Sequence, residues 1–180
     1  MSRKPSVSRE ELIEAAFRLI RREGHEALSA RSLAAEIGCS TQPVMYRFPN
    51  LAELRELAYQ RADRFHTDFV LSADSLQETG LRYIRFAAEE ANLFRFLFQS
   101  GHFDGASVKD MIRAPESTEI LRAAAAGLAL PEEEAASVFE ALFLTVHGCA
   151  SLIANNAMRY EPAAIEQMLL SLAESLSGKE

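Results

Sequence analysis

Tryptophan is absent from this chain of 180 residues, and cysteine occurs only twice. Cys39 and Cys149 lie far apart without a metal-binding spacing, so neither a disulfide scaffold nor a cysteine metal site is expected. The polar N-terminus lacks an apolar signal core, and we find no apolar run long enough to cross a bilayer. We therefore expect a cytoplasmic protein that does not enter a membrane.

Signatures of common enzyme sites are also missing. The chain has no P-loop, no GxGxxG motif and no nucleophile elbow. Asp63 and His66 share one helical face, but a di-iron bundle needs two Glu-x-x-His pairs with further carboxylates, and no second pair exists. We expect no catalytic residue, no metal site and no cofactor, so the chain is not predicted to be an enzyme.

Strand patterns are scarce, whereas helical periodicity runs nearly from end to end, which predicts an all-α fold. Ser8 and Glu11 form a capping box for a first helix that ends at Gly24. Ser29 and Ser40 are expected to cap two short helices, 30–37 and 41–47. Asn92 can cap the aromatic segment 93–98. Longer helices are expected at about 51–71, 75–90, 131–158 and 162–177, with another after Pro115.

Charge is distributed unevenly along the chain. The formal net charge of −7 argues at first against nucleic-acid binding. The first 60 residues, however, hold nine basic and eight acidic residues, a net charge of +1, so the remainder carries −8. Only the first part can approach a phosphate backbone at low electrostatic cost.

Segment 29–48 is typical of a helix-turn-helix, with two short helices joined by Gly-Cys-Ser. The second helix would be the recognition helix, with its N-terminal residues toward base edges in the major groove. Gln42 can pair with adenine, and Thr41 can hydrogen-bond or touch a thymine methyl group. Tyr46 and Arg47 can hold phosphates. The alternative for each side chain is a solvated helix face.

Further contacts are expected beside the recognition helix. Pro43 offers an apolar contact, and Ser29 with its neighbouring backbone amides forms a phosphate site at a helix N-terminus. Arg31 lies one turn inside that helix and can reach the backbone or a base. Arg3 and Lys4 are either a minor-groove arm or a disordered tail.

Spaced residues run through this segment as Gly24-x-x-Ala27-x-Ser29-x-Arg31-x-x-Ala34-x-x-x-Gly38-x-Ser40-x-x-x-Val44-x-Tyr46-x-Phe48. The spacing resembles the TetR/AcrR family of bacterial regulators over about residues 8–57. The family usually has a phosphate-binding Lys where this chain has Leu51, so that contact is lost or passes to Asn50 or Ser40. The resemblance implies DNA contacts from Ser29, Arg31, Thr41, Gln42, Pro43, Tyr46 and Arg47.

The resemblance also implies a domain organisation and a function. An N-terminal three-helix DNA-binding domain would comprise residues 1–50, and a C-terminal helical ligand-binding and dimerisation domain residues 51–180. The chain would be a ligand-responsive transcriptional regulator, usually a repressor in this family. As a homodimer it would bind palindromic double-stranded operator DNA, and a small apolar or weakly polar effector would release it. The alternative is a non-enzymatic helical dimer that acts as a protein-interaction adaptor with weak or no DNA binding.

The C-terminal part holds nine of the eleven phenylalanines. Most are expected in a packed core or a dimer seam, but an apolar effector pocket between helices is the sharper hypothesis. His147 lies in an apolar stretch and can equally be a core histidine hydrogen-bonded to the backbone. The candidate ligand-binding residues are Phe69, Phe86, Phe94, Met111, Phe143 and His147.

Three motifs in this part resemble the TetR subclass with a WHG-type C-terminal domain, although the Trp of that subclass is absent. They are Tyr83-x-x-Phe86, Asn92-Leu93-Phe94-Arg95-Phe96-Leu97-Phe98 and Phe143-x-x-x-His147-Gly148-x-Ala150. The last two helices carry apolar stripes at three- and four-residue spacing, which predicts a four-helix homodimer interface. The candidate interface residues are Leu142, Val146, Ile153, Ile165, Met168, Leu169, Leu172 and Leu176.

Overall fold

The computed structural model describes residues 7–101 and 132–176. Within these ranges the regular structure is entirely helical, as predicted, and one 3-10 turn (His25–Ala27) accompanies the α-helices. The expected helix after Pro115 lies outside the described residues. The α-helices are α1 (Arg9–Glu23), α2 (Ala30–Glu36), α3 (Thr41–Arg47), α4 (Leu51–Leu71), α5 (Leu76–Glu89), α6 (Ala91–Gln99), α7 (Glu132–Ala154) and α8 (Pro162–Leu176).

The first helix begins and ends where the local sequence predicts. The hydroxyl of Ser8 accepts the backbone N–H of Glu11 at 3.0 Å, and the Glu11 carboxylate accepts the Ser8 N–H at 2.7 Å, which confirms the capping box. Gly24 follows the last turn with a φ of +90°, a conformation that favours glycine. One face of the helix is almost completely buried: Leu12, Ala15, Ala16, Leu19 and Ile20.

Helices α2 and α3 form the predicted helix-turn-helix. The hydroxyl of Ser29 accepts the backbone N–H of Ser32 at 3.1 Å and so caps α2, as expected. Gly38 has a φ of +67°, which allows the tight turn before α3. Ser40 occupies the N-cap position of α3, but its side chain makes no capping hydrogen bond, so that predicted cap is wrong. The motif has a fully buried core of Leu33, Val44 and Phe48.

The next helices also start at side-chain caps, with one exception. Asn50 accepts the backbone N–H of Ala52 at 2.9 Å beside the start of α4. Ser75 accepts the N–H of Glu78 at 3.1 Å and caps α5. Asn92 does not cap α6, which begins one residue earlier, and its amide binds backbone carbonyls of α1 instead.

By packing, the described chain divides into two compact units. The first holds residues 7–65 and 92–100, and the second holds residues 66–91, 101 and 132–176. The first unit thus takes most of α6 from the middle of the chain, and α4 continues from the first unit into the second. Packing units need not coincide with functional domains, so a domain boundary after residue 50 stays a prediction.

The α7 helix is strongly apolar. Among the described residues, its segment Ser137–Ala154 is the one stretch long and apolar enough to cross a membrane by length and composition. Our expectation that the chain has no such run is therefore wrong by this criterion. A single helix of this kind is weak evidence for a membrane protein, because core helices of soluble proteins meet the same criterion.

Candidate functional site

The α3 helix presents polar side chains to solvent on one side and is anchored on the other. Thr41, Gln42 and Arg47 are exposed, and the side chain of Tyr46 is 79% exposed. Val44 is completely buried in the opposite direction. A recognition helix needs this arrangement, because its outer side chains must reach into the groove while its inner face holds it in place.

The other residues predicted to contact DNA differ in exposure and in the hydrogen bonds that they already make. Arg31 is exposed, and Pro43 is half-buried. The exposed Ser29 hydroxyl already accepts its capping hydrogen bond and lies 2.9 Å from the hydroxyl of Ser32. Ser40 is exposed, with a hydroxyl that does not serve as a cap. All these DNA contacts stay predictions, and Ser40 retains more hydrogen-bonding capacity than Ser29.

Residues at the end of α3 contact the first described residues of the chain. The Nε of Arg47 donates to the backbone carbonyl of Val7 at 3.3 Å. The guanidinium of Arg9 lies 4.4 Å above the centre of the Phe48 ring and forms an ion pair with Glu53. Arg47 therefore has a structural contact that the sequence did not indicate, and this contact restricts the orientation of its side chain beside the exposed face of α3.

A cluster of charged side chains joins α1 to α2. Arg22 donates to one carboxylate oxygen of Glu36 at 2.9 Å, and Arg18 donates to the other at 3.3 Å. The hydrogen bond from Arg22 is the main cause that lowers the pKa of the Glu36 carboxyl below its usual value. These contacts hold α2 against α1. They therefore stabilise the helix-turn-helix to which α3 belongs.

The second unit contains a contiguous set of rings, here called the aromatic cluster: His66, Phe69, Tyr83, Phe86, Phe143 and His147. The His66 ring lies edge-on to Tyr83 and to Phe86, with centroid distances of 5.2 and 4.8 Å. The hydroxyl of Tyr83 is 2.9 Å from Nδ1 of His147, and Phe143 stacks on the His147 ring. Ring contacts of this geometry are favourable beyond the burial of their area.

Burial favours the neutral form of both histidines in the aromatic cluster by lowering the pKa of each. Burial lowers the pKa of His66 to about 4, because the charged imidazolium loses its hydration. Burial also lowers the pKa of His147 below its usual value. The cluster thus combines ring surfaces with one polar Tyr–His pair.

Sequence reasoning found part of this cluster. Phe69, Phe86, Phe143 and His147 belong to it, whereas Phe94 lies in the first unit, with its ring 4.9 Å from that of Phe98. Met111 lies outside the described residues. His66 and Tyr83 were missed as candidates, although each stands three residues before a cluster phenylalanine and therefore on the same helix face. A ligand-binding role for any of these residues stays a prediction.

The sequence profile of the family described as "Tetracyclin repressor-like, C-terminal domain" matches residues 76–176, more than half of the chain. The chain belongs to the TetR family. As a TetR-family member it is a transcriptional regulator, and its helix-turn-helix with a C-terminal helical region agrees with that family's fold.

A solved structure supports the same TetR-family fold over nearly the whole chain. It is described as the crystal structure of a TetR-family transcriptional regulator from Streptomyces coelicolor. The match has a TM-score of 0.66 and 23% sequence identity, and it covers 98% of this chain and 82% of that chain. At this identity the likeness shows the fold alone. A search of the curated proteins finds no significant match.

In this TetR-family chain the candidate dimer residues differ in burial. Val146, Ile153, Ile165 and Leu169 are buried within the single chain, and α5 approaches closely enough that a Cβ on Gly80 would lie 3.4 Å from Val146. Leu142 and Leu172 are half-buried, Met168 is exposed, and the side chain of Leu176 is not described. Sequence reasoning left out three large side chains that α7 and α8 expose: Leu144, Leu152 and Leu170.

Proposed function

We propose that this TetR-family chain is a ligand-responsive repressor that binds palindromic operator DNA as a homodimer and is released by a small uncharged effector. The observation that carries the DNA part is the exposed polar face of α3, fixed from behind by buried Val44. A regulator of this kind acts in the cytoplasm, where its operator is accessible.

Four exposed side chains of the motif have the main roles in this proposal. Gln42 reads a base edge in the major groove, because its amide can donate and accept at once. Tyr46 and Arg31 hold phosphates and therefore add affinity without sequence preference. Ser40, whose hydroxyl is not used in a cap, takes the phosphate contact that Lys provides at position 51 in other family members.

The DNA proposal is tested by selecting bound duplexes from a random pool and then measuring affinities of variants. Gln42→Ala should weaken binding to the selected duplex by about 1–3 kcal/mol and relax preference at one base position. The matched control is Gln60→Ala, an exposed glutamine on α4 bonded to Glu56, which should bind like the wild type. Tyr46→Phe should weaken binding to all duplexes about equally.

Two outcomes would contradict this assignment. Unchanged affinity and preference in Gln42→Ala would show that α3 does not read bases as proposed. Failure of the wild-type chain to select any duplex would favour the adaptor alternative over a DNA-binding regulator.

The homodimer proposal rests on the apolar side chains that α7 and α8 leave exposed. Leu144 and Leu152 are each 48% exposed, and Gly148 lies between them at four-residue spacing, so a partner helix can approach this face closely. Met168 and Leu170 extend the apolar surface on α8. A second copy of the chain would cover these residues in an isologous interface.

Sedimentation at micromolar concentration tests the interface. Leu152→Glu should shift a wild-type dimer toward monomer, because a charge would be buried at the seam. The matched control is Leu71→Glu, an exposed leucine at the end of α4, which should remain dimeric. A monomeric wild type, or equal effects of the two variants, would contradict the proposal.

The effector proposal rests on the neutral aromatic cluster. Its rings favour a partly aromatic or aliphatic ligand, and the Tyr83–His147 pair can orient one polar group. Because α4 is continuous from the helix-turn-helix to Phe69, a ligand that displaces Phe69 would alter the setting of the DNA-reading helices.

A screen of uncharged aromatic and aliphatic compounds by thermal shift tests this part. A true effector must weaken DNA binding by the same factor by which the selected duplex weakens effector binding, because linkage is reciprocal. Phe143→Ala should abolish the thermal shift, whereas Phe98→Ala, outside the cluster, should keep it. Equal effector affinity with and without DNA would reject the switch.

A further inference from the structure

The connection between α1 and the helix-turn-helix depends on a side chain distant in sequence. The Nδ2 of Asn92 on α6 donates to the backbone carbonyl of Arg21 at 3.1 Å and to that of Arg22 at 3.0 Å. The last carbonyls of an α-helix have no partner within the helix. Asn92 satisfies two of them at once and thus caps the C-terminus of α1 from another element.

The orientation of the Asn92 amide is determined by its neighbours. Arg95 donates to its Oδ1 at 2.6 Å, which leaves Nδ2 toward the two carbonyls of α1. A flipped amide would place Oδ1 against those carbonyls and its NH2 group against the Arg95 guanidinium, and all three hydrogen bonds would be lost. The Asn92 amide therefore has a single favourable orientation. A side chain with one favourable orientation can fix the position of the helix end that it binds.

A second contact fixes the segment directly after the cap. The ring of His25 stacks on Phe96 of α6, with a centroid distance of 5.7 Å and an interplanar angle of 22°. The hydroxyl of Tyr59 on α4 donates to the carbonyl of Leu97 at 3.3 Å. The α6 helix therefore contacts α4, and it also contacts the last turn of α1 and the 3-10 turn.

Only residues 24–28 separate α1 from Ser29, the N-cap of α2. Gly24, with a φ of +90°, bends the chain directly after α1. Because the connection is so short, the direction of α2 depends on the direction of the last turn of α1. We propose that Asn92 is a positioning residue for DNA binding: its cap on α1 fixes the angle at which the chain enters the helix-turn-helix. This inference rests on the proposed DNA-binding function, but part of its test does not need DNA.

The test compares Asn92→Ala with Ser75→Ala. Both variants remove a side-chain helix cap, but the Ser75 cap on α5 belongs to the second unit. Affinities are measured with the duplex selected by the wild type and with an unrelated duplex, well below the unfolding temperature so that all variants are folded. Amide hydrogen exchange of residues 24–29 is measured without DNA.

Asn92→Ala should lower affinity for the selected duplex roughly tenfold, reduce the ratio of specific to unrelated binding, and speed exchange at Ala27 and Leu28, whose amides bond within the turn. Ser75→Ala should lower the unfolding temperature but leave affinity and turn exchange unchanged. Asn92→Asp, which keeps the shape and the Arg95 contact but loses the donor, should match Asn92→Ala.

Three results would overturn the inference. One is wild-type affinity in Asn92→Ala, and another is wild-type turn exchange in that variant. The third is an equal loss of affinity in Ser75→Ala, which would mean that the cap acts only through stability. If the wild type selects no duplex, the proposed function fails, and wild-type turn exchange in Asn92→Ala would still overturn the role of Asn92 at the entry to α2.

Discussion

The two compact units both have a buried apolar core but differ in the further contacts that their side chains make. In the first unit the helix ends are set by short-range polar contacts, such as the Ser8–Glu11 capping box and the Ser29 cap, and α1 is linked to α2 through Glu36. In the second unit, rings from three helices meet in the aromatic cluster around His66. Polar contacts at the surface fix positions with small energies, whereas a buried cluster contributes larger ones but tolerates little change in volume or charge.

The largest expected effect is in the aromatic cluster. Phe86 is completely buried and contacts both His66 and Phe69, so Phe86→Ala should destabilise the protein by about 3–5 kcal/mol. Urea unfolding followed by circular dichroism measures this loss. Leu71→Ala, at an exposed leucine of the same unit, should cost less than about 1 kcal/mol and serves as the control. Equal losses would mean that the cluster is not the main support of this unit.

The next effect is a pH dependence that arises from His66. Burial lowers the pKa of His66 to about 4 in the folded chain, against about 6.5 when unfolded. The unfolded chain therefore binds more protons between these values, and the stability contributed by neutral His66 is complete above pH 6.5 and lost as the pH falls. From pH 7.5 to pH 5 the wild type should lose about 2 kcal/mol more than His66→Leu. Parallel pH profiles of the two proteins would contradict this origin.

In the first unit the helix caps should give intermediate effects. Ser29→Ala should cost about 1 kcal/mol, because it leaves the N–H of Ser32 without its capping acceptor. Ser40→Ala, at the same cap position of the next helix, should change stability by only about a few tenths of a kcal/mol, because Ser40 makes no capping hydrogen bond. Thermal unfolding of both variants measures the contrast. A larger loss in Ser40→Ala would show that the cap forms in solution.

The smallest effect should come from the charged link between α1 and α2. Glu36→Gln should cost about 0.5–1 kcal/mol at low salt, because Arg18 and Arg22 lose their shared partner. The loss should shrink in concentrated salt, since exposed charges are screened. Glu89→Gln breaks the single Arg85–Glu89 pair on α5 and should cost less. A salt-independent loss at Glu36 would indicate a packing effect.

The distance along the chain between interacting residues explains which features sequence reasoning predicted. The capping box at Ser8, the end of α1 at Gly24 and the bounds of α3 were predicted correctly, because each depends on residues within one or two turns. The role of Asn92 was misassigned as a cap for its own helix, since its partners Arg21 and Arg22 lie about 70 residues away. No local pattern reveals such a contact.

The same reasoning applies to the candidate sites. The exposed face of α3 was identified because the helix-turn-helix is a local motif whose geometry predicts Gln42 and Tyr46 on the outer side, where the structure shows them exposed. Four of the six residues in the aromatic cluster were predicted, and the other two were missed because the number of rings in a segment does not show which helices meet. Phe94 and Phe86 are both phenylalanines in apolar helical segments, but Phe94 belongs to the first unit and Phe86 to the second. Burial of Val146 and Leu169 likewise follows from the approach of α5 at Gly80, which periodicity within α7 and α8 does not contain.

The contribution of α6 to the first unit has a consequence for protein engineering. Because residues 92–100 pack with residues 7–65, the unit is discontinuous in sequence, and no single cut of the gene separates it from residues 66–91. A fragment truncated at residue 50, or even at residue 71, would leave the final carbonyls of α1 and the ring of His25 without the surfaces that α6 supplies. A minimal fragment that carries the first unit would have to retain α6 on a new linker in place of residues 66–91, so a domain swap with this chain should exchange both segments together.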